Sequence, residues 1–309
     1  MKKLPLIVTA GPTASGKTRL AIELAKLLNG EIVSADSMQI YKYMNIGSAK
    51  PTAEEQKEVK HHLIDFLEPD AVFSVADYTE MAHDVIGKLI SEGKMPVMCG
   101  GTGLYINSVV NDITFGETDT NDDIRAELAK TAREKGNDAL IKMLAEFDPV
   151  SAARLHPNNV RRVIRAIEFY KVTGQTISSH QEMTKQTEGR YNPIMFCIAW
   201  DRQKLYERIN KRVDKMLEDG LLEEVKRLME AGYTKALNSM KAIGYKELID
   251  YYNGETTLEE AVELIKQSSR RYAKRQLTWF RRDKRIHWLN ADGDIVREAY
   301  ETVNNFYKT

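Results

Sequence analysis

A chain of 309 residues with 42% hydrophobic and 29% charged side chains has the make-up of a globular protein with room for a large core. Its 45 basic and 45 acidic side chains cancel, so bulk charge neither argues for a polyanionic partner nor excludes one. No apolar run nears the ~20 residues of a membrane-spanning helix, and Met1-Lys2-Lys3-Leu4-Pro5 lacks a signal-peptide apolar core. The cysteines, Cys99 and Cys197, sit in separate apolar runs, which suits buried free thiols and excludes zinc spacing. A cytoplasmic protein is expected.

The first element is Leu6-Ile7-Val8-Thr9-Ala10, a short, β-prone run that reads as a buried strand. Gly11-Pro12-Thr13-Ala14-Ser15-Gly16-Lys17-Thr18 follows and fits G-x-x-x-x-G-K-[ST]. Arg19 to Leu28 then has helical spacing, with Leu20, Leu24, Leu27 and Leu28 on one face. Strand, glycine loop and helix together make a phosphate cradle: backbone N–H groups turn toward an anion and the helix N-terminus adds its positive dipole end. Lys17 supplies a point charge, and the Thr18 hydroxyl suits Mg²⁺. Chance gives this pattern on the order of once per hundred chains of this length, so diphosphate binding is the reading here.

A second strand, Glu31 to Ala35, ends at Asp36-Ser37-Met38-Gln39-Ile40-Tyr41. In an open parallel sheet the strand ends carry the site, which places Asp36 near the bound anion. Such a carboxylate either meets the diphosphate through Mg²⁺ or acts as a base on a second substrate. Thr52 and Glu55 form a capping box for a short helix. His61 and His62 point different ways on any regular element and are read as structural. Ser74 opens a helix running to about Glu92, and Pro96 to Cys99 forms a third strand. That strand ends in Gly100-Gly101-Thr102-Gly103-Leu104-Tyr105, not in the metal-binding Asp of many P-loop ATPases. Three glycines in four residues imply the close approach of some other group.

Between about Phe115 and Asn192 the alternation of strand and helix stops. Helices are expected at 122–135, 137–147 and 149–155. His156-Pro157-Asn158-Asn159 then stops one helix and starts the next, Val160 to Val172, which carries Arg161, Arg162 and Arg165. Ile194 to Trp200 returns to strand. Further helices end at Gly220 and Gly232, the first with Arg208 and Arg212 four apart. Thr257 and Glu260 cap a long helix to about Asp283 whose C-terminal half, with Arg271, Arg275 and Arg282 among Tyr272, Gln276 and Trp279, is strongly basic. Arg285 to Leu289 and Ile295 to Tyr307 read as a last strand and helix.

The expected fold is therefore α/β: a P-loop NTPase-like parallel sheet flanked by helices, residues 1–114 and 193–309, with an all-helical insertion at 115–192. Basic helix faces with interleaved aromatics suit a nucleic acid. Residue physics alone leaves open whether the diphosphate belongs to ATP, as in a nucleotide or small-molecule kinase, or is a leaving group on carbon. A non-catalytic RNA-binding protein also stays open.

The ordered motifs resemble those of bacterial tRNA dimethylallyltransferases. They are the P-loop, Asp36–Tyr41, Gly47-Ser48-Ala49-Lys50-Pro51, Gly100–Tyr105, His156–Arg162, Ala242-Ile243-Gly244-Tyr245 and Arg275–Phe280, and they span nearly the whole chain. The resemblance implies transfer of a dimethylallyl group from dimethylallyl diphosphate to N6 of the adenosine 3′ of the anticodon in tRNA, with Mg²⁺. It implies Asp36 as base, Thr102 at the reaction channel, and Lys17 and Arg208 on the departing diphosphate. Gly11, Pro12, Thr13, Ala14, Ser15, Gly16, Lys17 and Thr18 would hold the donor, with Mg²⁺ at Thr18. The tRNA anticodon stem-loop would meet Asp36, Ser37, Met38, Gln39 and Thr102. In the insertion it would meet Arg125, Arg161, Arg162, Val163, Ile164 and Arg165. The C-terminal part would add Lys241, Gly244, Tyr245, Arg275, Gln276, Trp279 and Arg282. A monomer with no membrane partner is expected. A relative that modifies free adenylate, and so needs no insertion to grip RNA, is the nearest alternative.

Overall fold

The computed structural model describes residues 3–113, 115, 121–186 and 189–308. In chain order, β1 (Leu4–Ala10) leads into α1 (Lys17–Leu27) and β2 (Gly30–Ser34). Next come α2 (Ala53–Glu58), β3 (His61–His62), α3 (Val75–Ser91), β4 (Met95–Gly100) and α4 (Gly103–Val110). A run of helices follows: α5 (Asp122–Lys135), α6 (Asn137–Ala145), α7 (Pro149–Arg154), α8 (Val160–Thr173) and α9 (Ile177–Gln186). The chain then forms β5 (Tyr191–Ala199), α10 (Arg202–Glu218), α11 (Leu221–Glu230), a short 3₁₀ turn (Ser239–Lys241), α12 (Tyr245–Tyr252), α13 (Leu258–Phe280), β6 (Ile286–Asn290) and α14 (Ile295–Lys308).

Two compact units result, residues 1–110 with 190–309, and residues 111–189. The insertion thus starts and ends a few residues earlier than expected. α4 stops at Val110, and Tyr191, Asn192 and Pro193 already pair with Leu4, Pro5 and Leu6 of β1. The sequence pattern places this strand only from Ile194; β6 joins β5 only from Met195 onward, so Pro193 lies beyond that ladder and its missing N–H is tolerated there. Residues 116–120, inside the expected insertion, lie outside the described residues.

The first unit holds a six-stranded parallel sheet in the order β3-β2-β4-β1-β5-β6. Strands buried on both faces need continuous apolar runs, which is what β1, β4 and β5 supply. On one face α3 and α4 bury Tyr78, Ala82, Ile86, Ile106 and Val109, and on the other α1 and α14 bury Leu20, Leu24, Ala299 and Val303. β1 is central, with β2 and β4 on one side and β5 and β6 on the other. The crevice at its C-terminal end is where this topology puts a ligand. A third core, with Ile40, Met44, Val213, Leu221, Leu248 and Ile265, joins the loop after β2 to α10–α13.

β3 has two residues, too few for periodicity to reveal. His62 Nε2 lies 2.6 Å from the Glu31 carboxylate and His61 Nδ1 lies 2.8 Å from the Val59 carbonyl, so both histidines are structural. In the second unit, Leu128, Leu140, Leu144, Val163 and Ile167 form a separate core.

Candidate active site

The P-loop is pinned from outside by three side chains. Gln276 Oε1 accepts from Thr13 N–H at 3.1 Å, Trp200 Nε1 donates to the Ser15 carbonyl at 2.8 Å, and Arg208 Nε donates to the Ala14 carbonyl at 2.9 Å. The Arg208 guanidinium also lies 4.3 Å from the centre of the Trp200 ring. Bonding these carbonyls outward keeps acceptor oxygens from facing an anion. The Ser15 hydroxyl is buried and has no hydrogen-bond partner among the described residues. Lys17 Nζ has a carbonyl neighbour, Pro12 O at 3.3 Å, and burial pulls its pKa below the ordinary value despite the opposing influence of Cys99 and Asp36. An unpartnered buried hydroxyl and a desolvated ammonium in one loop are what a bound diphosphate would satisfy.

Asp36 stands two residues past the end of β2, and its Oδ1 accepts from Met38 N–H at 2.9 Å, an Asx turn that fixes the carboxylate. Thr102, at the end of β4, accepts from Ser37 N–H at 3.0 Å and donates to Ser37 Oγ at 3.2 Å. The two strand ends are thereby tied together. Gly100 and Gly101 explain the closeness: a Cβ would fall 2.1 Å from the Ala35 carbonyl oxygen at the first and 2.3 Å from Gln276 Nε2 at the second. The groups the glycines admit are this protein's own Ala35, just past β2, and α13.

A cavity of about 360 Å³ opens in front of Asp36 and Ser37, and Thr102 stands behind Ser37, outside its lining. Lys17, Thr18, Asp36, Arg212, Tyr272 and Arg275 give it polar walls, and Met38, Ile209, Val213, Leu221, Ile243 and Ile265 an apolar lining. Burial, then the nearby Asp36, pushes the Tyr272 phenol up to about 12, so it stays protonated. Burial lowers the Arg212 guanidinium against the pull of Asp36, and the group remains a cation. A second, open cavity of about 550 Å³ flanks the P-loop and is lined by Lys17, Arg19, Lys50, Arg208, Lys211 and Arg212.

Asp36, Ser37, Met38, Gln39, Lys241, Gly244, Arg275 and the P-loop residues Thr13, Lys17 and Thr18 share the first cavity. Arg212 and Tyr272 belong to it as well. The i, i+4 spacing from Arg208 was the one signal for Arg212. Tyr272 had none beyond its basic neighbours.

Four residues expected to touch RNA have side chains spent elsewhere. Val163 and Ile164, 0% and 9% exposed, belong to the insertion's own core. Tyr245 is fully buried and donates to Glu224 at 2.7 Å. Gln276, 6% exposed, uses its oxygen on Thr13 and its nitrogen on the Gly101 carbonyl, 2.9 Å away. It lines the first cavity while bracing the P-loop against the strand end at Gly101. Trp279 and Arg282 line a different cavity of about 300 Å³, beside Gly103 and Asn107.

In the insertion, Arg161 and Arg162 are exposed. Arg125 and Arg165 instead converge on Glu168, whose carboxylate is fully buried: Arg125 Nε at 2.8 Å, Arg165 Nη1 at 2.9 Å, with Asn121 N–H donating at 2.9 Å. Burial raises the Glu168 pKa, but these hydrogen bonds outweigh it and hold the group below the ordinary 4.5. The stabilisation is therefore full above the ordinary glutamate pKa and is lost as pH falls through the lowered folded value. Acid melts followed by circular dichroism should show Glu168→Gln already destabilised at neutral pH and less sensitive to acid than the wild type.

A family model described as IPP transferase matches residues 39–283. This chain belongs to the IPP transferase family. A protein of Acetivibrio thermocellus named tRNA dimethylallyltransferase is 53% identical over 287 residues, covering 93% of this chain and 92% of that one. One of the same name from Alkaliphilus oremlandii is 52% identical over 94% of this chain and 92% of its own. The crystal structure of a tRNA isopentenylpyrophosphate transferase from Bacillus halodurans superposes with a TM-score of 0.75 at 44% identity, covering 99% of this chain and 97% of that one. A eukaryotic dimethylallyltransferase solved acting on tRNA superposes with a TM-score of 0.85 at 27% identity, over 99% of this chain and 80% of that chain. As an IPP transferase the chain is an enzyme that modifies tRNA, and the P-loop cavity is its candidate centre. No described helix is long and apolar enough to cross a membrane.

Proposed function

We propose that this chain, acting as a monomer, transfers a dimethylallyl group from dimethylallyl diphosphate to N6 of the adenosine 3′ of the anticodon in tRNA. One observation carries the reading: Lys17, Arg212 and Asp36 face one cavity that also has an apolar lining. Cations suit the donor's diphosphate, the apolar wall suits its five-carbon chain, and the carboxylate suits an amine that must lose a proton. The exocyclic N6 attacks the allylic carbon, a C–N bond forms, and the C–O bond breaks with its electron pair leaving on diphosphate. Asp36 takes the N6 proton; the adenine lone pair is delocalised, so base assistance helps the attack. Lys17 and Arg208 stabilise the charge gathering on the leaving group. The adenosine reaches Asp36 by leaving its stack, at a cost of about a few kcal/mol that interactions with the protein offset.

Among the described residues no three His, Cys, Asp or Glu side chains cluster as a metal site. Mg²⁺ does not require one, because it keeps its waters and binds through few protein oxygens and the substrate's phosphates. Thr18, which lines both cavities, would hold it, and when bound it would neutralise the diphosphate. The test is mass spectrometry of nucleosides from unmodified tRNA incubated with the protein, dimethylallyl diphosphate and Mg²⁺. The expected product is N6-dimethylallyladenosine in the anticodon loop; phosphate transfer from ATP, or alkylation of free AMP alone, would overturn the reading.

The insertion is proposed to grip the anticodon arm through Arg161 and Arg162. Replacing both by Ala should weaken tRNA binding and flatten its log–log salt dependence by about 0.7–0.9 for each phosphate that is no longer neutralised. Arg165→Ala should flatten it less, because that charge is already answered by Glu168. Equal slopes for wild type and the double variant would take this helix out of the interface.

A further inference from the structure

Two sequence motifs, Gly47-Ser48-Ala49 and Gly244-Tyr245, line or border the cavity without a part in the chemistry above. They meet at one side chain. Glu224, on α11, is 3% exposed. Its Oε2 accepts from Asn45 N–H and Ile46 N–H, each at 2.9 Å, and its Oε1 accepts from Gly47 N–H at 3.0 Å and the Tyr245 hydroxyl at 2.7 Å. Three successive backbone donors and a phenol thus converge on one buried carboxylate from segments far apart in sequence. The Tyr245 ring fills the space a side chain at 47 would take, since a Cβ there would lie 2.4 Å from its Cε2. Just past these bonds, Ser48 and Ala49 form one wall of the cavity, and Ala242 to Gly244, just before Tyr245, form another.

We propose that Glu224 is a positioning residue for the transfer: it latches the loop at Asn45–Gly47 to Tyr245 and so sets the spacing of the walls between which donor and adenosine meet. The proposal rests on the prenyl-transfer reading. A buried carboxylate with four donors also stabilises the fold, so the test separates turnover from stability.

The full-length protein is assayed in single turnover with saturating tRNA and dimethylallyl diphosphate, per folded molecule, together with amide exchange at residues 45–47. In Glu224→Gln one carboxylate oxygen becomes an amide NH₂, and two of the four donors lose their acceptor. The rate should fall about 10- to 100-fold, the effect of slight misplacement at a reacting centre, with faster exchange at 45–47. Tyr245→Phe removes one bond of the four and should cause a smaller loss of the same kind. Tyr252→Phe removes a bond between α12 and α11, from the Tyr252 hydroxyl to the Leu222 carbonyl, without touching the loop. It should lower the melting temperature and leave the rate unchanged. Unchanged rates in both Glu224→Gln and Tyr245→Phe overturn the proposal. Should Glu224→Gln fail to fold, an unchanged rate in Tyr245→Phe alone overturns it. An inactive wild type would instead refute the prenyl-transfer reading itself.

Discussion

Asp36→Asn should lower the single-turnover rate by about 10²- to 10⁴-fold, the usual contribution of a general base, while tRNA still binds. Asparagine keeps the shape and can still accept from Met38 N–H through its amide oxygen, so the Asx turn that holds the side chain survives. What it loses is the capacity to take the N6 proton as the C–N bond forms. The neighbouring cations sharpen the expectation. Asp36 acts electrostatically on both Lys17 and Arg212, so removing its charge leaves two cations less compensated and donor diphosphate should bind at least as well. The signature is therefore a lost rate with an undiminished donor affinity, measured by transient kinetics and by equilibrium binding of diphosphate. A variant that turns over normally would remove Asp36 from proton transfer, and one that loses donor binding would make the carboxylate a part of the diphosphate site.

Much of this site was legible because its signals are local. The P-loop lies between a strand and a helix as its pattern requires, and the capping boxes at Thr52 and Thr257 occur as reciprocal hydrogen bonds. α5 spans Asp122–Lys135 because Asn121 caps it and Gly136 ends it. Illegible features are those in which a polar side chain turns inward to meet a partner far away in the chain. Gln276 sits on a helix amid arginines and reads as surface, yet its partners are Thr13 and Gly101. Glu224 and Glu168 read as ordinary helix carboxylates, and only tertiary packing makes them anchors. The contiguous stretch from Arg161 to Arg165 failed as a single binding patch for a geometric reason: five successive helical residues point all round the axis. Val163 and Ile164 therefore face the core while Arg161 and Arg162 face outward. α9 escaped notice because Ile177–Gln186 is mostly polar and presents no apolar stripe.

Lys17→Met should abolish measurable donor turnover, yet make the protein more stable when no donor is added. Removing one preorganised group that stabilises developing negative charge typically lowers rate by about 10²- to 10³-fold, and Lys17 carries a full charge. The stability gain follows from its surroundings. Burial depresses the Lys17 pKa, so without donor the folded state holds this proton less firmly than the unfolded state does. Unfolding then takes up a proton, and stability rises with pH from the depressed value toward the ordinary 10.5. Methionine fills nearly the same volume without that charge and should remove this part of the pH dependence. Diphosphate reverses the comparison. Wild type at a ligand concentration of 100 Kd gains about 2.7 kcal/mol by mass action, whereas the methionine variant, lacking the cation, should gain little. Thermal melts of both proteins, at neutral and alkaline pH and with and without diphosphate, read all three effects. A variant that melts below wild type without ligand, or that responds to diphosphate as strongly, would show that the Lys17 ammonium is already compensated before the donor arrives.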